Sequence, residues 1–239
     1  MKTKVVNEKL IQGRVTRGQK QLGQSKYKKG EGKSVVTKVY KTIRTRSSPH
    51  PLYDALRFLT NSQKKCLVDM GFGFFIGMNI HLIPSKLSNY IVGNFKQSTM
   101  CINMKNDSIK ITPKLVKEIL GIPLGGENIK MQKNDISNDE LIRTWRSQFK
   151  GKITPKRVAD IIKKTDDDGI MFKMNFLVVF FNVMCESDES GAAKLDILNY
   201  ISEDVEIRNL DWCTFVWDCL KETKKPKNYY CGSVTLLMV

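Results

Sequence analysis

From residue 52 onward, apolar residues recur at helical spacing, and the polar residues between them mark where helices start and stop. A first helix is predicted from Asn61 or Ser62 to Met70, ended by Gly71-Phe72-Gly73. A second carries Pro84 in its first turn and has apolar Leu87, Tyr90, Ile91 and Phe95 at helical spacing. The polar–apolar alternation of MCINMKNDSIKI, with Asn106-Asp107 as the turn, predicts a hairpin of Met100–Met104 with Ser108–Ile111. Thr112-Pro113 then caps a third helix with Leu115, Val116, Ile119 and Leu120 inward, stopped by Gly121 and Pro123.

Ser137-Asn138-Asp139-Glu140 reads as a capping box ahead of Leu141, Ile142, Trp145 and Phe149. Thr154-Pro155 opens a helix with Val158, Ile161 and Ile162 on one face. Phe172–Met184 is apolar on all sides and predicts a buried central helix; with Lys173, Asn175 and Asn182 in it, it is far short of a membrane span. Two further helices are expected at Leu195–Ile201 and Asn209–Glu222. The final YYCGSVTLLMV reads as the opening of another helix in a truncated or fragmentary chain. The segments ITPKLVKEIL and ITPKRVADII share six of ten positions 42 residues apart, but no third copy follows, and Thr-Pro at a helix start is a capping idiom. The expected architecture is mainly α: a multi-helix globular domain over 52–239 with one short β-hairpin.

Residues 1–51 follow another pattern. They lack any sustained period, and Ser47-Ser48-Pro49-His50-Pro51 predicts an extended linker, because a residue before proline is pushed out of the helical region. Charge sharpens this picture. The 239 residues carry 40 Lys+Arg against 24 Asp+Glu, net +16, and residues 1–50 hold fourteen of the cations with only Glu8 and Glu31, net +12. So cationic and apolar-poor a segment cannot bury enough surface to offset the entropy of ordering, which predicts a disordered basic arm. Arg14, Arg17, Lys20, Lys26, Lys28, Lys29, Lys33, Lys41, Arg44 and Arg46 are its candidate phosphate ligands, an interaction that carries no sequence information and weakens with salt. Tyr27 and Tyr40 add stacking surfaces for single strands. A solubilising tail explains the same charge equally well. Residues 186–206 hold seven acids and one lysine, so nucleic acid is expected at the arm and not at the domain.

The chemistry of enzymes is hard to find in this sequence. Six cysteines form no CxxC pair, and Cys213, Cys219 and Cys231 have no histidine beside them to complete a metal site. Most lie in apolar stretches, as small buried thiols do in a reducing compartment. A thiol protease would need Cys101 activated by His81, with no orienting acid in evidence; His50, the other histidine, lies in the linker. Gly71, Gly73 and Gly77 have the wrong spacing for a dinucleotide loop, and Gly121, Gly125 and Gly126 lack the Lys-Ser/Thr of a phosphate loop. Asp166-Asp167-Asp168 lacks calcium-loop spacing. No enzyme activity, cofactor or metal is expected, nor a membrane partner. The N-terminus MKTKVVNEKL has no apolar signal region. Lys26-Tyr27-Lys28-Lys29 and Lys224-Lys225-Pro226-Lys227 are weak import-type clusters, pointing to the nucleus, with the cytoplasm as the alternative.

The run GFGFFIGMNIHLIPSKLSNYIVGNF, followed by ITPKLVKEILGIPLGG, resembles a plant family. It is similar to the helical region upstream of the peptidase domain in transposon-associated ubiquitin-like (SUMO) cysteine proteases, and to the related aminotransferase-like plant mobile domain. Asn209-Leu-Asp-Trp-Cys213 and Tyr230-Cys-Gly232 also fit, so the resemblance runs from about Leu59 to the C-terminus. It implies a non-catalytic, transposon-derived interaction module with an unknown protein partner, since relatives keep their catalytic His, Asp and Cys in a separate downstream domain. The alternative is the N-terminal fragment of such a protease, which extending the reading frame beyond Val239 would reveal.

Overall fold

In the computed structural model the described residues are 43–131, 138–223 and 229–239. The chain divides into two units, Met1–Val39 and Tyr40–Val239, and the first lies outside the described residues. The second is mainly helical, as the periodicity predicts, with one small antiparallel sheet.

It opens with a helix where a linker was expected. α1 (His50–Arg57) buries Leu52, Ala55 and Leu56, and Pro49 itself takes helical angles at φ −70°, ψ −18°. Proline in a first helical turn lacks an N–H that would have no intrahelical partner anyway, so Pro51 is accommodated. The chain is fastened still earlier. Tyr230 N–H donates to the Arg44 carbonyl at 2.8 Å, and Thr45 Oγ1 donates to the Tyr230 carbonyl at 3.0 Å. Residues 44–51 therefore belong to the fold, ahead of the predicted start at Leu52.

α2 (Asn61–Asp69) is held by a reciprocal cap: the Gln63 amide donates to Thr60 Oγ1, and the Thr60 amide to Gln63 Oε1. The wholly buried Gln63 also donates to the Thr165 and Asp167 carbonyls, tying α2 to the loop before the central helix. α4 (Pro113–Leu120) and α6 (Pro155–Ile162) start alike, with Thr112 and Thr154 accepting from the Leu115 and Arg157 amides. Their similarity ends there, since α4 packs on α8 (Trp212–Glu222) and α6 on α1 and α7 (Ile170–Met184). A shared cap idiom accounts for the resemblance between the two segments.

α7 (Ile170–Met184) is the centre, with twelve of its fifteen residues buried. Its two asparagines are satisfied. Asn175 Oδ1 accepts from Trp145 Nε1 at 2.8 Å, locking α5 (Asn138–Ser147) to α7. Asn182 donates to the Val178 and Lys194 carbonyls and accepts the Lys194 amide. Ser137, the expected cap of α5, lies outside the described residues.

α3 (Ser85–Asn94) leads into a sheet of three strands, β1 (Phe95–Lys96), β2 (Cys101–Asn103) and β3 (Ser108–Lys110), in the order β1-β2-β3. The predicted hairpin is β2–β3, with Ile102 opposite Ile109; β1, with Phe95 opposite Ile102, adds a strand that was expected to be helix. The sheet is fixed to α8 by Trp217 Nε1, which donates to the Ile111 carbonyl, and by Gln97, whose side chain caps the last carbonyls of α8. Two other expectations shift. Residues 196–200 form a 3₁₀ turn, and the helix expected from Asn209 starts at Trp212, where Asp211 caps the Thr214 amide. α9 (Val234–Met238), capped by Ser233, forms where a helix opening was read.

Candidate functional site

Of the ten candidate arm cations, Arg14, Arg17, Lys20, Lys26, Lys28, Lys29, Lys33 and Lys41 lie outside the described residues. Arg44 is exposed, with its carbonyl engaged as above. Arg46 has work within the fold: its Nε donates to the Glu189 carbonyl at 3.0 Å, and its guanidinium lies 4.2 Å from the Tyr229 ring centroid. The Lys224–Lys227 cluster also lies outside the described residues.

The glycine-rich motifs meet in space. Three loops converge: the one after α2, the one after α4 and the one before α8. Gly71 (φ +85°) faces Pro123, and a β-carbon there would sit 2.7 Å from its Cγ. Gly121 (φ +62°) leaves room for Phe74, and a β-carbon at Gly126 (φ +104°) would lie 2.0 Å from the Asn209 carbonyl oxygen. Only a residue without a side chain fits such approaches. Backbone bonds close the junction, from the Glu127 amide to the Asn209 carbonyl, Asp211 to Glu127, and Cys213 to Pro123. Beneath it Phe72 is wholly buried, its ring edge-to-face with Phe176, Phe180 and Trp212 at 5.0–5.3 Å between centroids.

The open concavity over this junction displays Lys117 and Arg208. Lys117 sits in the last turn of α4, and the Arg208 stem lies against Gly71, just past the end of α2. Helix C-termini carry partial negative charge, so these cations complement the two helix ends without an anion between them. The glycines lock loops together, and sequence spacing could not reveal it because every partner is remote in the chain.

A cleft of about 360 Å³ opens between α2 and residues 203–208, with Lys65, Asp69, Asp168, Lys173 and Glu206 on its walls. Its one thiol, Cys66, is pushed up to about 11 by burial, which Lys173 only partly offsets. Burial also raises Cys213 to about 12, and raises Cys185 and Cys231. A nucleophilic cysteine needs the opposite shift. His81 packs against Tyr53 at 5.3 Å between ring centroids, whereas the Cys101 thiol donates to the Thr99 carbonyl. Among the described residues no group of three His, Cys, Asp or Glu is placed to hold a metal ion. No helix among them is long and apolar enough to cross a membrane.

The fold and its loop junction define a helical scaffold with a small antiparallel sheet. The chain belongs to the family described as a domain of unknown function, DUF8566, whose model matches residues 45–238. That match begins at Thr45, which forms a β-bridge with Tyr230. No curated protein and no solved structure matches the chain.

Proposed function

We propose that this is a non-catalytic, transposon-derived plant nuclear protein in which the helical domain is a protein-interaction module and the segment before residue 43 holds DNA or RNA without sequence preference. The partition of charge carries the reading: twelve of the sixteen net positive charges fall in residues 1–50, and twelve of the fourteen cations there precede residue 43. Phosphate neutralisation by such a segment needs no built pocket. Burial disfavours four of the six thiols as thiolates, which speaks against a cysteine nucleophile at those positions. The plant origin rests on the motifs Gly71-Phe-Gly73 and Leu120-Gly-Ile-Pro-Leu-Gly-Gly126, the same ones that interlock the loops.

The test is charge reversal in the arm. Replacing Lys26, Lys28 and Lys29 by glutamate should release the full chain from a DNA column at much lower salt, with thermal unfolding unchanged. Elution at the wild-type salt concentration would refute the arm as the contact.

A further inference from the structure

Exposed apolar side chains are concentrated in one stretch of the domain. Nine large hydrophobic residues are exposed among the described residues, and six of them, Phe74, Leu82, Leu87, Tyr90, Met104 and Ile109, fall between residues 70 and 117. The same stretch has a one-sided charge. From residue 70 to residue 106 there is no Asp or Glu, and to residue 117 there are six lysines against Asp107 alone.

Within it, α3 turns an apolar stripe outward. Ser88 is buried at 1% exposure because its hydroxyl donates back to the Pro84 carbonyl at 2.9 Å, and Ile91 and Val92 flank it on the inner side. The opposite side presents Tyr90, 48% exposed, and Gly93, with Leu87, 47% exposed, at its edge. Nothing inside the fold calls for that glycine. Its φ is not positive, a β-carbon there would meet no atom within 4 Å, and the helix ends on an extended Phe95 and not on a left-handed glycine cap. Glycine at such a position weakens the helix relative to alanine. What it offers is bare backbone beside two exposed apolar side chains, where another backbone can come close.

We infer that the outer stripe of α3, Leu87–Tyr90–Gly93, is a docking surface for an acidic amphipathic helix of a partner protein. The partner's apolar residues pack on Leu87 and Tyr90, its backbone crosses at Gly93, and its carboxylates meet Lys96 and Lys110 on the sheet that continues from α3 and Lys105 in the turn between β2 and β3, all three exposed. A second copy docked through the same face is the wrong occupant, since the same lysines would face each other. A nucleic acid could stack on Phe74 and Tyr90 but would leave the aliphatic Leu82 and Leu87 uncovered. A lipid surface has no backbone to bring close to Gly93. This inference rests on the reading of the helical domain as an interaction module and is independent of the arm.

The experiment uses the full chain and a fluorescent synthetic helix with leucine along one face and glutamate elsewhere. Its control is a peptide of equal composition in scrambled order, which the basic arm attracts equally. Anisotropy at moderate salt should show the striped peptide binding about tenfold more tightly than the scrambled one. Gly93→Leu and Tyr90→Ser should abolish that preference while leaving the scrambled peptide and DNA retention as in the wild type, with Gly93→Leu no less thermally stable than the wild type. Equal binding of the two peptides, or a preference that survives Gly93→Leu, overturns the inference. So does a Gly93→Leu defect confined to phosphatidylserine vesicles or to a single-stranded oligonucleotide. Loss of DNA retention on arm charge reversal is read separately, so either reading can fail alone.

Discussion

Gly125 and Gly126 are neighbours with left-handed backbone, φ +81° and +104°, yet their surroundings differ. A β-carbon at Gly125 would meet nothing within 4 Å, whereas one at Gly126 would lie 2.0 Å from the Asn209 carbonyl oxygen. Alanine at either position carries the left-handed penalty of about 1–2 kcal/mol. At Gly126 the loop before α8 must also withdraw. That breaks the bonds from the Glu127 amide to Asn209 and from the Asp211 amide to Glu127, at 2.9 and 2.8 Å, each contributing about 1 kcal/mol. The total for Gly126→Ala is then about 3–4 kcal/mol before any loss of packing at Trp212. For a domain of this size each kcal/mol lowers Tm by about 2–4 °C, so Gly125→Ala should fall by about 2–8 °C and Gly126→Ala by about 6–16 °C, the two lost hydrogen bonds setting Gly126→Ala about 4–8 °C below Gly125→Ala. Differential scanning calorimetry of the two variants measures this directly. Equal drops would show that the loops are not locked through Gly126, and the junction argument would fail.

Three further outcomes follow from the core. Trp145→Phe leaves Asn175 Oδ1 buried without its donor and should cost about 1–3 kcal/mol in urea unfolding followed by circular dichroism; a neutral result would contradict the α5–α7 lock. Asn182→Leu removes every anchor of the Lys194 backbone, so hydrogen exchange should quicken at the Lys194 amide with little change in the α7 amides; unchanged protection would contradict it. The third concerns pH. Cys66 and Cys213 ionise at about 11 and about 12 in the fold against 9.0 for an ordinary thiol, so the unfolded chain loses its protons first. Their contribution is complete below pH 9 and is lost as pH rises through the folded values, by up to about 1.4 kcal/mol per pH unit and thiol. Cys66→Ala and Cys213→Ala should flatten that alkaline limb relative to their own neutral-pH stability, and an unchanged slope would refute burial as the cause.

Helices with a polar cap beside an apolar period were legible in the sequence. The starts of α4 and α6 follow from Thr-Pro, and the centrality of α7 from its unbroken apolar run. α1 was not legible, because His50-Pro51 after Ser47-Ser48-Pro49 has the local chemistry of a linker, and only burial of Leu52, Ala55 and Leu56 favours a helix. α3 misled in another way. Helical spacing groups Leu87 and Tyr90 with Ile91, but Ser88 satisfies its hydroxyl within the helix and takes the buried side, leaving Leu87 and Tyr90 exposed. Periodicity identifies a stripe without saying what covers it. The arm charge needed only counting, whereas the meeting of Gly71 with Pro123 and of Gly126 with Asn209 depends on contacts between remote residues, which local spacing does not encode.

The division of labour between arm and domain is tested most directly by the salt dependence of DNA affinity, measured for the full chain and for a chain lacking residues 1–42. The cut at 42 spares the Arg44–Tyr230 and Thr45–Tyr230 bonds that fasten the domain. If the arm engages on the order of six phosphates, the full chain should lose roughly 10³-fold in affinity between 50 and 200 mM salt. The shortened chain should bind weakly throughout, with a shallow slope and unchanged thermal unfolding. A shortened chain that keeps both the affinity and the steep slope would place the nucleic-acid contact on the helical domain and contradict the account.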